Sequence, residues 1–234
     1  MNKMIVKVCG MRDGENIRQV AELGVDWIGM IFWNKSPRNV TMIPTHAGII
    51  PDRASLSPLT THHRPLSVGV FVDEMPQNII TRVVNFHLGA IQLHGQESPT
   101  LIRNLRRTLD PDIRPGIRII KAIPVATSAD VAAYKQYEDC VDYFLFDTRA
   151  ADNATGGTGQ HFDWSVLSAY DGNVPFLLSG GIGPDDALRI KEWFAADSAA
   201  AAKCIGVDLN SRFEVAPALK DVEALRRFIQ ELSH

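Results

Sequence analysis

The 234-residue sequence predicts an α/β fold, a (β/α)8 barrel of the TIM type that occupies residues 1–234 as a single domain. Short runs rich in β-branched residues recur eight times, and amphipathic segments separate most of them. The length is also close to the roughly 250 residues at which such barrels fold as one unit.

The first strand is expected over 4–8, Met4-Ile5-Val6-Lys7-Val8, and it stops at Cys9-Gly10. A helix over 13–23 follows, opened by Asp13 as a cap and ended by Gly24. The second strand covers 25–32. Further strands are expected at 66–72, 90–93, 117–123, 141–146, 174–179 and 203–208, with helices over 77–86, 98–109, 128–137, 184–194 and 217–232. The run Ala199 to Ala202 is expected to end a helix or form its exit loop. Eight strands alternating with helices point to a closed barrel rather than an open sheet.

Two stretches interrupt this alternation. Residues 41–65 carry Pro44, Pro51, Pro58 and Pro65 and read mostly as a long surface connection. Residues 148–161 are rich in Gly, Ala and Thr and leave directly from the strand that ends at Asp147, a composition that suits either a lid or a solvated linker.

With 24 basic and 27 acidic side chains the net charge is -3, and no basic run suggests a nucleic-acid surface. The expected partner is a small molecule. Cys9, Cys140 and Cys204 show no Cys-x-x-Cys spacing, which argues against a disulfide framework and against a structural zinc site. Reduced thiols, the lack of a signal-peptide pattern at the N-terminus and the lack of an apolar run near 20 residues lead to the expectation of a soluble, unexported cytoplasmic protein with no membrane contact.

In a parallel barrel the carboxyl ends of all strands converge on one face, so Cys9 and Asp147 are expected to meet over a substrate as general base and general acid. A free thiol with a pKa of about 8.5 is only a few per cent ionised at neutral pH, so the base needs an electropositive setting. Lys7, two residues earlier and on the same side of the strand, supplies one. The plainer reading of Cys9 is a small core hydrophobe, which is how Cys140 and Cys204 are read. The apolar approach Tyr143-Phe144-Leu145-Phe146 suggests partial burial of Asp147, which would favour the protonated acid, against the alternative of a helix cap or loop salt bridge. Asp73 and Asp208 end strands in the same way and compete for that role.

Ser179-Gly180-Gly181-Ile182-Gly183-Pro184 ends the seventh strand and opens a helix, the place where barrels commonly bind phosphate. Asp208-Leu209-Asn210-Ser211 ends the eighth. Arg38, after the second strand, suits bidentate capture of a carboxylate, or is simply solvated. His94 lines the mouth or caps a helix, and His62-His63 reads as solvated because no third ligand lies nearby.

Taken in order, these segments resemble the phosphoribosylanthranilate isomerases of tryptophan biosynthesis. The resemblance runs through Lys7-Val8-Cys9-Gly10-Met11, Asp26-Trp27-Ile28-Gly29-Met30-Ile31-Phe32 and Ser36-Pro37-Arg38, then Val68-Gly69-Val70-Phe71-Val72, Ile91-Gln92-Leu93-His94-Gly95 and Phe146-Asp147. It continues through Gly156-Gly157-Thr158-Gly159, Phe162-Asp163-Trp164, Ser179-Gly180-Gly181-Ile182 and Gly206-Val207-Asp208, with Glu214 and Lys220-Asp221. It implies an Amadori rearrangement with no metal and no organic cofactor, on a small phosphoribosyl substrate, by a monomer or homodimer. It also implies that Asp147 is the acid, Cys9 the base, Arg38 the holder of the anthranilate carboxylate and Asp208 a substrate contact. Gly180, Gly181, Asn210 and Ser211 would bind phosphate, and Gly156 to Gly159 would form the loop over the site.

The sequence departs from the family pattern at the end of strand eight. Asn210-Ser211-Arg212 stands where Ser-Ser-Gly is common, and Pro217-Ala218 where Pro-Gly precedes Lys-Asp. Arginine tolerates positive φ poorly, so the turn at Arg212 is expected to differ, with its charge contacting the phosphate. A phosphosugar isomerase with two aspartates, a non-catalytic phosphometabolite-binding barrel and a thiol redox protein are the competing readings. The presence of Cys9 together with Asp147, and the lack of a resolving cysteine near Cys9, disfavour them.

Overall fold

The computed structural model describes residues 4–41, 44–45, 48–49, 64–148, 163–196 and 198–233. The expected lid or linker, Gly156 to Gly159, and His62-His63 lie outside the described residues. Eight strands close a barrel: β1 (Ile5–Val8), β2 (Trp27–Ile31), β3 (Leu66–Phe71), β4 (Ala90–Leu93), β5 (Arg118–Val125), β6 (Tyr143–Thr148), β7 (Phe176–Ser179) and β8 (Cys204–Leu209). Every neighbouring pair is parallel, and β1 joins β8 through the register Lys7 opposite Asp208.

Successive side chains on a strand point to opposite faces, which sorts the residues into two cores. Trp27, Val68, Ala90, Ile120, Leu145 and Leu177 fill the barrel interior. Val6, Val8, Ile28, Ile119 and Phe144 point outward under the helices. Stepping along the inner face by twos toward the carboxyl ends leads from Ile5 to Lys7 and Cys9, from Ala90 to Gln92 and His94, from Leu145 to Asp147 and from Leu177 to Ser179. The interior changes from apolar to polar at that layer, and this is what places the site.

The outer elements are α1 (Gly14–Glu22), α2 (Pro76–Asn85), α3 (Pro99–Leu109), α4 (Ser128–Val131), α5 (Ala187–Ala195), α6 (Ala199–Lys203) and α7 (Val222–Ser233). Asp13 caps α1 by accepting from Asn16 N at 2.8 Å, and Ser98 caps α3 by accepting from Leu101 N at 3.2 Å; such caps contribute about 1 kcal/mol each. A 3-10 helix, Ala132–Gln136, continues α4, and another, Trp164–Ala169, occupies the place between β6 and β7 where no helical periodicity is visible.

Three expectations change. The Ala199 run is a short helix of its own, capped by Ser198. Pro44–Thr45 and Gly48–Ile49 pair as a small antiparallel ladder inside the 41–65 connection. The last helix starts at Val222 and not at Pro217, because Asp221 accepts from Glu223 N and Ala224 N while Glu214–Ala216 pairs antiparallel with Leu219–Lys220.

A buried ion pair holds the loops after β3 and β4. Lys121 Nζ lies 3.3 Å from Glu97 Oε2 and also donates to Leu93 O and Gly95 O, while Glu97 accepts from Asp73 N and Gly95 N. Asp73 in turn accepts from Gln96 N at 2.5 Å. Its carboxylate is therefore part of loop architecture.

Candidate active site

At the carboxyl ends of the strands a cavity of about 180 Å³ is lined by Cys9, Asp147 and Asp208 together with Gly180, Gly181, Asn210 and Ser211. Seven of the eight site residues expected from sequence thus face one space. The eighth, Arg38, lies beside it. A Cβ on Gly10 would fall 2.7 Å from Arg38 Cδ and 2.6 Å from Asn210 Oδ1, so the arginine stem and the β8 exit meet over the residue that follows Cys9. The φ of +78° at Gly10 provides the turn that makes this approach possible.

Cys9 is 3% exposed. Gly29 on β2 gives the thiol its room, because a Cβ there would lie 2.8 Å from Cys9 Sγ. Lys7 does neighbour the thiol as expected, but it already has a partner: its ammonium donates to Asp208 Oδ1 at 2.8 Å, fully buried. Burial pulls the Lys7 pKa down, and the Asp208 carboxylate and the Cys9 thiol more than reverse this, leaving it above the ordinary lysine value. Burial pushes the Cys9 thiol up, and the Asp208 charge adds to that. The opposing pull of Lys7 and Lys220 does not cancel it. The electropositive setting expected for Cys9 is therefore half neutralised in the unliganded chain, and the thiol rests protonated.

Asp147 faces Cys9 three strands away around the barrel. His94 Nε2 lies 3.3 Å from Asp147 Oδ2, and Gln92 Nε2 lies 3.1 Å from His94 Nδ1. Sequence reasoning placed His94 at the mouth without giving it a partner, and it overlooked Gln92 as a site residue. The signal was present in the period-two step from Ala90. Asp208 is held by Lys7, and Ser179 Oγ approaches its other oxygen at 3.5 Å, so it is placed as a charged anchor and not as a proton donor. Asp73, the other competitor, is spent on Gln96 N.

Arg38 shows an engaged guanidinium. Its Nε and Nη2 donate to Glu214 at 2.6–3.0 Å, which raises its pKa further. Glu214 also accepts from Lys220 Nζ at 2.7 Å, and Lys220 donates to Asn210 Oδ1 at 2.9 Å. Burial raises the Glu214 carboxyl, but the hydrogen bonds from Arg38 and Lys220 outweigh it and the net shift is downward. Glu214 and Lys220 thus tie the β2 exit to the β8 exit, a link that no local sequence signal predicts.

The two departures at the β8 exit have unequal consequences. Arg212 sits in a 3-10 turn, Ser211–Phe213, with ordinary backbone, so its replacement of a glycine costs no strain. Ala218, in the family's Pro-Gly position, has φ +67° and carries the left-handed conformation that favours glycine. Cys140 and Cys204 are buried and donate to the backbone oxygens of Tyr137 and Gly206, and burial pushes Cys204 up to about 12; both serve the fold.

A family model described as N-(5'phosphoribosyl)anthranilate (PRA) isomerase matches residues 6–231. The chain belongs to the phosphoribosylanthranilate isomerase family. It is 43% identical over 231 residues to the N-(5'-phosphoribosyl)anthranilate isomerase of Parabacteroides distasonis, covering 99% of this chain and 94% of the relative. It is 42% identical to that of Phocaeicola vulgatus, with 98% of both chains covered. The crystal structure of phosphoribosyl anthranilate isomerase from Thermotoga maritima is similar at a TM-score of 0.76 and 29% identity, covering 99% of both chains. The (β/α)8 barrel expected from the sequence and the resemblance to these isomerases are thereby borne out.

Proposed function

We propose that this isomerase converts N-(5-phosphoribosyl)anthranilate to 1-(2-carboxyphenylamino)-1-deoxyribulose 5-phosphate with Asp147 as acid and Cys9 as base. The placement of a thiol and a carboxylate across one cavity, with a glycine turn at its edge, is the observation that carries this assignment. Asp147 gives its proton to the ribose ring oxygen as the C1–O bond breaks, and the nitrogen lone pair forms the iminium. Cys9, as thiolate, takes the C2 proton. The C2–H electrons become the C1–C2 double bond of an enolamine, which tautomerises to the ketone. Protons removed equal protons returned, and the reaction is an isomerisation.

Substrate charge sets the remaining roles. Gly180 and Gly181, with φ of +98° and +66°, turn the chain so that backbone donors face an anion, and Asn210 and Ser211 close the phosphate end from β8. Asp208 accepts from a ribose hydroxyl while Lys7 neutralises it. Arg38 holds the anthranilate carboxylate through the edge of its guanidinium that Glu214 leaves open. The route uses protein groups alone, with no metal and no organic cofactor. We further infer that the single barrel carries the whole activity as a monomer or homodimer, and the three unpaired thiols suit a reducing cytoplasm. Among the described residues no helix is long and apolar enough to cross a membrane.

The test follows the fluorescence of phosphoribosylanthranilate as it is consumed by the wild type, Cys9→Ala and Asp147→Asn. Loss of turnover by about 100- to 10,000-fold in each variant supports the pair. Turnover near wild type in either one removes that residue from its role.

A further inference from the structure

We propose that Arg212 is a phosphate-capturing cation in this isomerase, supplying by charge what a backbone-only anion turn supplies by amides. This rests on the phosphate end assigned above. The guanidinium lines the same cavity as Gly180, Gly181 and Ser211. It lies flat over Gly183: a Cβ on that glycine would be 3.0 Å from Arg212 Nε, 3.1 Å from Nη2 and 3.2 Å from Cζ. Glycine at 183 therefore makes the room in which the guanidinium rests.

The charge balance around the cavity singles this residue out. Lys7 is paired with Asp208, Arg38 and Lys220 share Glu214, and Arg189 is bound to Asp186 and stacked 3.6 Å over Trp164. Among the described residues Arg212 alone of these cations has no ion pair and no hydrogen bond from its guanidinium. It engages an anion with its whole guanidinium, whereas the charge of each of the others is already shared with a carboxylate. The turn itself is short of one donor, because the Gly183 amide donates to Asp186 Oδ2 at 2.7 Å. A planar guanidinium over that amide offers two parallel donors to phosphate oxygens in its place. Its exposure at the rim also lets it attract the dianion from solution, an effect that salt weakens.

The experiment uses the purified full chain and inorganic phosphate as probe, in wild type, Arg212→Gln, Arg212→Lys and Arg212→Gly, with Arg226→Gln as a control on an exposed helix arginine. Two quantities are read: the rise in melting temperature with added phosphate, which needs no turnover, and KM for the phosphoribosyl substrate across ionic strength. Arg212→Gln is expected to weaken both phosphate binding and KM about 10- to 100-fold with kcat changed less than about twofold, and to flatten the salt dependence of KM. Arg212→Lys retains part of the affinity and the salt dependence, and Arg226→Gln matches wild type. Phosphate affinity and KM within about twofold of wild type in Arg212→Gln, or a lowered KM in Arg212→Gly, would overturn the assignment. A wild type that binds phosphate in this Arg212-dependent way but does not consume phosphoribosylanthranilate overturns the catalytic reading and leaves the cation in place.

Discussion

His94 Nε2 stands 3.3 Å from Asp147 Oδ2, and the other ring nitrogen is met by the Gln92 amide at 3.1 Å. Gln92 is buried, and among the described residues its Oε1 has no partner. With the amide donating to Nδ1, the imidazole carries its hydrogen on Nε2 and aims it at the Asp147 carboxylate. The histidine is then a positioning residue for the acid.

Removing that support leaves Asp147 in the cavity with a less defined direction. His94→Ala is expected to lower kcat about 10- to 100-fold with KM changed less than about threefold, a smaller loss than Asp147→Asn. His94→Gln, which keeps a donor, recovers part of it. Steady-state kinetics of the three variants check the ranking. A His94→Ala enzyme with normal kcat would mean that Asp147 holds its direction through its other contacts.

The pH dependence follows from Cys9. The base acts as thiolate, and its pKa in the unliganded chain is raised above the ordinary thiol value by burial and by the Asp208 charge. kcat/KM reports ionisation of both groups in the free enzyme. Because Asp147 must hold a proton while Cys9 has lost one, the profile is expected to be bell-shaped, with the Cys9 limb on the alkaline side, beyond the ordinary thiol range. Asp208→Asn removes a negative charge near the thiol and leaves Lys7 facing it. The alkaline limb then moves to lower pH, even though substrate affinity falls. A pH–rate series on both proteins reads this directly, and a wild-type alkaline limb centred below the ordinary thiol range would contradict it.

Much of this site was legible because its parts lie on strand ends. An apolar run that stops at Cys9, Asp147 or Asp208 announces an inward-facing polar residue as soon as the strand is placed in a barrel. The pairings between such residues were not legible. Whether Lys7 serves Cys9 or Asp208 depends on the β1–β8 register, which brings together residues 201 positions apart. Arg38, Glu214 and Lys220 meet for the same reason, and their local surroundings resemble any solvated loop. The start of α7 was not legible either: the amphipathic pattern reaches back to Pro217, but Asp221 supplies the cap and the chain first makes a hairpin.

The Lys7–Asp208 pair is 0% and 6% exposed, so its two charges stabilise the barrel only as a pair. Lys7→Met strands a buried carboxylate and is expected to cost about 3–5 kcal/mol in urea unfolding. The double variant Lys7→Met/Asp208→Leu removes both charges and is expected to return most of that stability while losing turnover. A double variant as unstable as the single one would show that the ammonium's packing, and not its charge, holds β1 to β8.

Gly29 tests how narrowly the thiol is placed. A methyl group there would come 2.8 Å from Cys9 Sγ, 3.1 Å from Cys9 Cα and 3.2 Å from its Cβ, and two of these three atoms are close to the β1 backbone and cannot swing away. Gly29→Ala must therefore shift the thiol or part the first two strands. Overpacking of this kind costs about 1–3 kcal/mol, and a reacting atom displaced by an ångström costs about 100-fold in rate. The phosphate end is built from β7 and β8 and does not share these contacts. Gly29→Ala is thus expected to lose kcat while keeping the melting-temperature response to inorganic phosphate. Equal loss of both would mean that the substitution had opened the barrel as a whole, and normal kcat would mean that Cys9 need not stand where Gly29 lets it stand.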